Sequence, residues 1–215
     1  MKIKPPELTA NPEIIEGMFP LCDPDGDGVY LENLIVRDVT LTDEDICGIS
    51  CSSIVFERCR LLNCTAEKST FTDVVFKSCD LSGSSFTGSY WNRCQLQNCK
   101  LVGASLAESS LRQLLIENCN LNYVTLDSSG MNDIFISESN LTNASISQCR
   151  LKNWKAAGSR FVGASFFRTP LAGIDFSENT IDGIIVSESH SELAGMTVSP
   201  VQAVELSKLL QIKIK

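Results

Sequence analysis

Taken at every fifth residue from Leu31, the chain reads Leu31, Val36, Leu41, Ile46, Cys51, Phe56, Leu61, Ala66, Phe71, Phe76 and Leu81. The series continues through Phe86, Trp91, Leu96 and Leu101 to Ile181 and Val186, 32 consecutive positions without a polar residue. Two residues before each lies a second series of mostly small residues, among them Cys59, Cys64, Ser69, Cys79, Ser84, Ser89, Cys94, Cys99, Ala104, Ser109 and Cys119. Neither the helical period of 3.6 nor the strand period of 2 describes this pattern. A period of five does, with one large and one small residue pointing inward. Each repeat is then a short strand and a turn, and four repeats close a square coil. The large residue fills the axis, and the small one fits beneath the wall, where a bulky side chain would push the backbone outward. The predicted fold is all-β: a right-handed quadrilateral β-helix over residues 29–188. The 32 repeats make eight coils, and a spacing of ~4.8 Å gives a rod ~38 Å long.

Both ends of such a rod are open edges that need covers. Residues 1–28 are expected to cap one end, with a helical turn near Pro12–Met18, and residues 189–215 the other. Ser199-Pro200 starts a helix, with Ser as N-cap and Pro in the first turn. That helix is predicted to run to about Leu210, with an apolar side of Ala203, Leu206, Leu209 and Leu210. Met196-Thr197-Val198 before it and Gln211-Ile212-Lys213-Ile214-Lys215 after it read as short strands. This apolar surface, with Ile212 and Ile214, exceeds what one coil end can cover, so the segment is predicted to join two copies as well as to cap.

The repeat resembles the pentapeptide-repeat family, whose motif is Ala-(Asp/Asn)-Leu-X-X. Cys79-Asp80-Leu81-Ser82-Gly83 and Cys119-Asn120-Leu121-Asn122-Tyr123 carry the likeness, which extends over residues 29–188. The ending resembles the Qnr and MfpA group of that family, whose chains finish in Gln-Ala-x-x-Leu-x-x-x-Leu-Gly-Ile-x-Ile. Gln202, Ala203, Leu206, Leu210, Ile212 and Ile214 match, while Gln211 stands where the group has Gly. A non-glycine residue there is costly in the left-handed conformation, so a different helix ending is expected. Leu171-Ala172-Gly173-Ile174-Asp175-Phe176-Ser177-Glu178-Asn179-Thr180 is similar to Qnr-type chromosomal proteins of Gram-positive bacteria. The resemblance implies a homodimer joined tip to tip at the C-termini. It also implies a rod that mimics duplex DNA, binds DNA gyrase or topoisomerase IV and protects them from fluoroquinolones. Some members carry loops inserted in the coils that matter for protection. The unbroken register from 31 to 186 leaves no room for one.

Charge sharpens this picture. The net charge is −8, and residues 169–207 hold six acids and no Lys or Arg. Residues 1–56 hold 11 acids and 3 bases, so neither stretch has the clustered cations that nucleic-acid binding needs to release counterions. Direct nucleic-acid binding is therefore not expected, and a basic partner surface is. Asp175, Glu178, Asp182, Glu188 and Glu192 are the acids predicted to face gyrase. The bland alternative is a solvated acidic surface that aids solubility. No apolar run approaches the ~20 residues of a membrane helix. The N-terminus lacks the apolar stretch of a signal peptide, which predicts a cytoplasmic protein.

Other candidate chemistry is thin. Seven of the ten cysteines occupy the small inward site, so reduced packing is expected rather than a disulfide or metal. Asp23-Pro24-Asp25-Gly26-Asp27-Gly28 begins like a calcium loop, but Leu34 replaces the bidentate Glu, and a polar turn is the expected reading. His190, the single histidine, is expected to be exposed and has no nucleophile to serve. A filled axis leaves no cleft for catalysis, so neither a catalytic site nor a cofactor is expected. One outward column is apolar: Ile35, Val55, Val75, Leu115 and Phe135. It is either an exposed contact stripe or a bed for the first 28 residues. The stripe favours a second functional reading, a non-catalytic β-helical scaffold that binds an unrelated protein.

Overall fold

The computed structural model describes residues 3–17, 29–209 and 211–212. Its paired strands are all parallel, and the main sheet stacks one strand per coil. These strands are β2 (Tyr30–Arg37), β4 (Ser50–Glu57), β6 (Thr70–Lys77), β7 (Tyr90–Gln97), β8 (Ser110–Glu117), β9 (Gly130–Ser137) and β10 (Arg150–Ala157). The register advances by the four repeats of one coil, as in Leu31↔Cys51, Cys51↔Phe71 and Phe71↔Trp91. β3 (Thr40–Thr42) and β5 (Arg60–Leu62) pair on the next wall, and bridges such as Asp80↔Lys100 and Ser85↔Ser105 join the others. The result is a β-solenoid of about seven strand-bearing turns, and residues 171–186 form the last of the eight expected coils without a strand.

The small inward residues do more than avoid a clash. Cys79 N–H donates to Cys99 Sγ at 3.4 Å and Cys99 N–H to Cys119 Sγ at 3.3 Å. The ladder continues through Ser139, Ser159 and Asn179 at 3.0–3.1 Å. In turn, Cys79 Sγ donates to Phe56 O and Cys99 Sγ to Phe76 O, each at 3.4 Å. A short side chain with one donor and one acceptor thus satisfies backbone groups of the coil below, which buried peptide groups require. The axis holds the large residues. Phe56 and Phe76 stack with centroids 4.9 Å apart. Corners fall at residue numbers ending in 3 or 8, where φ is positive: Asn63, Asn98, Asn118 and Asn143 lie at 52–57°. Asparagine tolerates that conformation better than most residues.

The N-terminal end departs from expectation. The segment expected as a helical turn is instead a strand, β1 (Glu13–Glu16), paired Glu13↔Leu34 and Ile14↔Ile35. The open edge of β2 offers a row of unpaired backbone groups, and pairing with them outweighs a short isolated helix. Before β1 the chain crosses the outer face of the sheet. Lys4 N–H donates to Gln113 Oε1 at 2.7 Å, Glu7 N–H to Asp73 Oδ1 at 2.8 Å and Thr9 N–H to Ser53 Oγ at 3.1 Å. From Gln113 to Ser53 is three coils, ~14 Å at strand spacing. Five residues in the extended conformation that Pro5 and Pro6 favour span ~16 Å.

At the other end, residues 192–197 lie over the last coil. Leu171, Gly173 and Phe176 N–H groups donate to Glu192, Gly195 and Thr197 carbonyls at 2.8–2.9 Å. Of the strand expected at 196–198, only the bridge Asp175↔Thr197 forms. Helix α1 (Pro200–Ser207) is shorter than predicted and begins with a capping box between Ser199 and Gln202. Gln202 Nε2 also donates to Phe176 O at 2.8 Å and Asn179 O at 2.6 Å. It serves Phe176 O as a further rung of the ladder would, and so closes the rod. Gln211 does adopt the left-handed conformation, φ 55°, and Ile212 N–H reaches Ser207 O at 3.1 Å. The helix therefore ends in the usual six-to-one bond without a glycine.

Candidate functional site

The apolar column is mostly bedding. Val55 and Val75 are only 7% and 3% exposed, which corrects the reading of all five residues as a surface stripe. The N-terminal crossing segment lies over this wall, and Ile35 is half-buried beside β1. Leu115 and Phe135 stay partly open. With Ile3 and Lys155 they line a shallow hollow of about 330 Å³.

The acidic set also changes. Asp175, Glu178, Asp182 and Glu188 are exposed, but Glu192 is 3% exposed and cannot face a partner. Its Oε1 accepts from Arg168 N–H at 2.7 Å and Ser187 N–H at 3.1 Å, and its Oε2 from Ser187 Oγ–H at 2.9 Å. Burial alone would raise its pKa, but these donors outweigh burial and hold the carboxyl below its usual value. A charged side chain was read as surface, whereas the turn into residues 191–193 needed an acceptor for three donors. The other four acids circle the last coil rather than form a stripe. Asp175 and Glu178 rim a groove beside β10, and Glu188 rims a separate hollow with Phe167 and Arg168. A hydrogen bond from Ser177 keeps the Asp175 carboxyl low.

On α1, Leu206 turns toward the core and Ala203 is exposed, while Leu209, just past the helix, is half-buried. Leu210 and Ile214 lie outside the described residues. Ile212 is 54% exposed, and the helix presents Val201 and Val204, 80% and 48% exposed. The valines, one turn apart, were missed because the sequence reading followed the leucines.

The cysteines of the inward column are buried and free, as is Cys51 on the axis, while Cys47 is exposed. Burial pushes the Cys51 and Cys94 thiols up to about 12. Burial likewise raises the Cys149 thiol, to about 11. Among the described residues no group of three or more His, Cys, Asp or Glu is placed to hold a metal ion. The Asp23–Gly28 turn lies outside the described residues. His190 is half-buried rather than exposed, in a left-handed turn at φ 53°.

The family profile of the pentapeptide repeat region matches residues 69–146. Over those residues the chain matches the pentapeptide repeat, and its fold throughout is a parallel β-solenoid. A trypsin-treated variant of QnrB1, described as a plasmid-mediated fluoroquinolone resistance protein, is similar in structure. It shares 19% identity and a TM-score of 0.56, with 95% of this chain and 98% of that one covered. Full-length QnrB1 gives 18% identity and a TM-score of 0.48, with 86% and 99% covered. HetL, a pentapeptide repeat protein involved in heterocyst differentiation regulation from the cyanobacterium Nostoc, gives 14%, 0.28, 77% and 85%. No curated protein matches the chain by sequence. At 19% identity the likeness to trypsin-treated QnrB1 shows the solenoid fold alone. No helix among the described residues is long and apolar enough to cross a membrane.

Proposed function

We propose that this solenoid acts as a non-catalytic DNA mimic that binds DNA gyrase or topoisomerase IV and modulates their sensitivity to fluoroquinolones. The observation that carries the reading is the last coil. Asp175, Glu178 and Asp182 are exposed there and Glu188 just beyond it, and residues 169–207 contain no Lys or Arg. A type II topoisomerase holds duplex DNA on a cationic surface, so a competitor needs negative charge on a rod of similar width. The structural likeness to QnrB1 supports that shape. Val201, Val204 and Ile212 give the same end of the rod an exposed apolar surface suited to a second copy. A tip-to-tip homodimer places two acidic coils side by side at its centre. The continuous axis of Leu, Phe and Trp supports the non-catalytic reading.

The test is supercoiling by gyrase with added protein, with and without ciprofloxacin. The expected result is a dose-dependent change in supercoiling, drug inhibition or both. If neither gyrase nor topoisomerase IV responds, the scaffold reading replaces this one. That second reading is favoured by the hollow at Leu115 and Phe135, which remains open beside Ile3.

A further inference from the structure

The ladder of the strand wall breaks once. Neighbouring walls stay bonded to the last coil, with Phe161 N–H to Thr180 O at 2.7 Å and Gly163 N–H to Asp182 O at 2.8 Å. On the strand wall, no backbone hydrogen bond among the described residues joins 150–158 to 170–178. β10 is therefore the last strand of the sheet, unpaired between two corners where Cys149 N–H donates to Thr169 Oγ1 at 2.9 Å and Ser159 N–H to Asn179 Oδ1 at 3.0 Å. By the register of the earlier coils, the N–H groups of Leu151, Ala156 and Gly158 and the carbonyls of Cys149 and Trp154 face the gap. Two residues account for the opening. Pro170 has no N–H to give Cys149 O, the bond that Arg150 makes to Ser129 O at 3.0 Å one coil earlier. Trp154 fills the inward site held by Leu34, Ile54, Val74, Cys94, Leu114 and Ile134 below it, and is far larger than any of them.

The opening is a groove of about 560 Å³, lined by Phe135, Leu151, Trp154, Lys155, Asp175 and Glu178 among others. Leu151 is half-buried where its counterparts Leu111 and Met131 are 1% and 2% exposed. Trp154 is 4% exposed, and its Nε1 has no hydrogen-bond partner. An orphaned buried donor and an unpaired strand edge on one groove both call for an external partner.

We propose that this groove binds a basic, extended segment of a protein partner, which adds to β10 as a parallel strand. Main-chain bonds supply the affinity, as in other strand additions. The peptide's carbonyls accept from Leu151, Ala156 and Gly158, and its N–H groups donate to the carbonyls of Cys149 and Trp154. The preference for a basic segment comes from the groove lining, where the Asp175 and Glu178 carboxylates outnumber the Lys155 ammonium; Arg150 and Lys152, exposed on β10, lie outside that lining. It is reinforced by the net charge of −8. The groove stands on the fold alone, so a failed gyrase assay leaves it untouched, and the reverse also holds.

The probe is a fluorescein-labelled, end-blocked peptide of alternating lysine and valine, titrated with the full-length protein and read by anisotropy. The expected result is saturable binding. A version N-methylated at every residue loses its donors on both edges and is expected to bind at least about tenfold more weakly. A glutamate–valine version should also bind more weakly. Trp154→Leu, which restores the residue found at positions 34 and 114, is expected to narrow the groove and weaken binding, although Pro170 still leaves Cys149 O without its donor. If that variant fails to fold, the N-methylated peptide decides the matter on the native chain. Absence of saturable binding overturns the proposal, as does equal binding of the N-methylated or glutamate peptide, or full binding to folded Trp154→Leu.

Discussion

Glu192 and the inward cysteines show how far position governs side-chain chemistry in this solenoid. Glu192 is a buried acceptor for three donors, and its carboxyl titrates below the ordinary glutamate value of 4.5. A depressed folded pKa means its stabilisation is complete above the unfolded value and is lost as pH falls through the folded one. Thermal melts should therefore weaken below about pH 4.5, and Glu192→Gln should remove part of that slope. Glu192→Ala strands the donors and should cost about 1–3 kcal/mol at neutral pH. Thiol titration without denaturant should label Cys47 quickly and leave Cys59, Cys79, Cys99 and Cys119 untouched. Rapid labelling of those four would contradict the ladder. The ladder's small residues were legible in the sequence because they recur on a fixed period. Glu192 was not, since nothing in a Ser- and Glu-rich stretch distinguishes a buried acceptor from a solvated charge.

Elements followed the sequence where periodicity spoke and departed from it where open edges decided. Axial residues could be assigned one by one. Phe76→Asp, which places an unpaired charge against Phe56 and Trp91, should cost on the order of 3–5 kcal/mol and unfold the rod in a thermal melt. A melting temperature equal to the parent's would remove Phe76 from the core. The strand over Glu13–Glu16 was not legible, because a four-residue segment carries no period and forms only against the edge of β2. Gln202 was visible as a motif match but not as a plug. Gln202→Ala removes the capping box and the bonds to Phe176 O and Asn179 O. It should lower stability by about 1–3 kcal/mol, measured as a drop in melting temperature. The groove beside β10 had its signals in Trp154 and Pro170, one residue too large for its site and one lacking the donor its site uses.

At the scale of the whole molecule, one end of the rod combines exposed acids with exposed valines. Deleting residues 199–215 should leave the coils folded but abolish the proposed dimer, read by sedimentation. A full-length protein that sediments as a monomer contradicts the dimer directly. The attraction proposed for the acidic coil would be screened beyond ~8 Å at physiological salt, so its effect should fade as ionic strength rises. The most direct measurement is displacement of a fluorescent DNA duplex from gyrase, followed by anisotropy across a salt series. The protein is expected to displace the duplex in low salt and progressively less as salt increases. Converting Asp175, Glu178, Asp182 and Glu188 together to Asn or Gln should weaken displacement while the fold is retained. Undiminished displacement by that neutralised variant, or none by the parent at any salt, would contradict DNA mimicry by this coil.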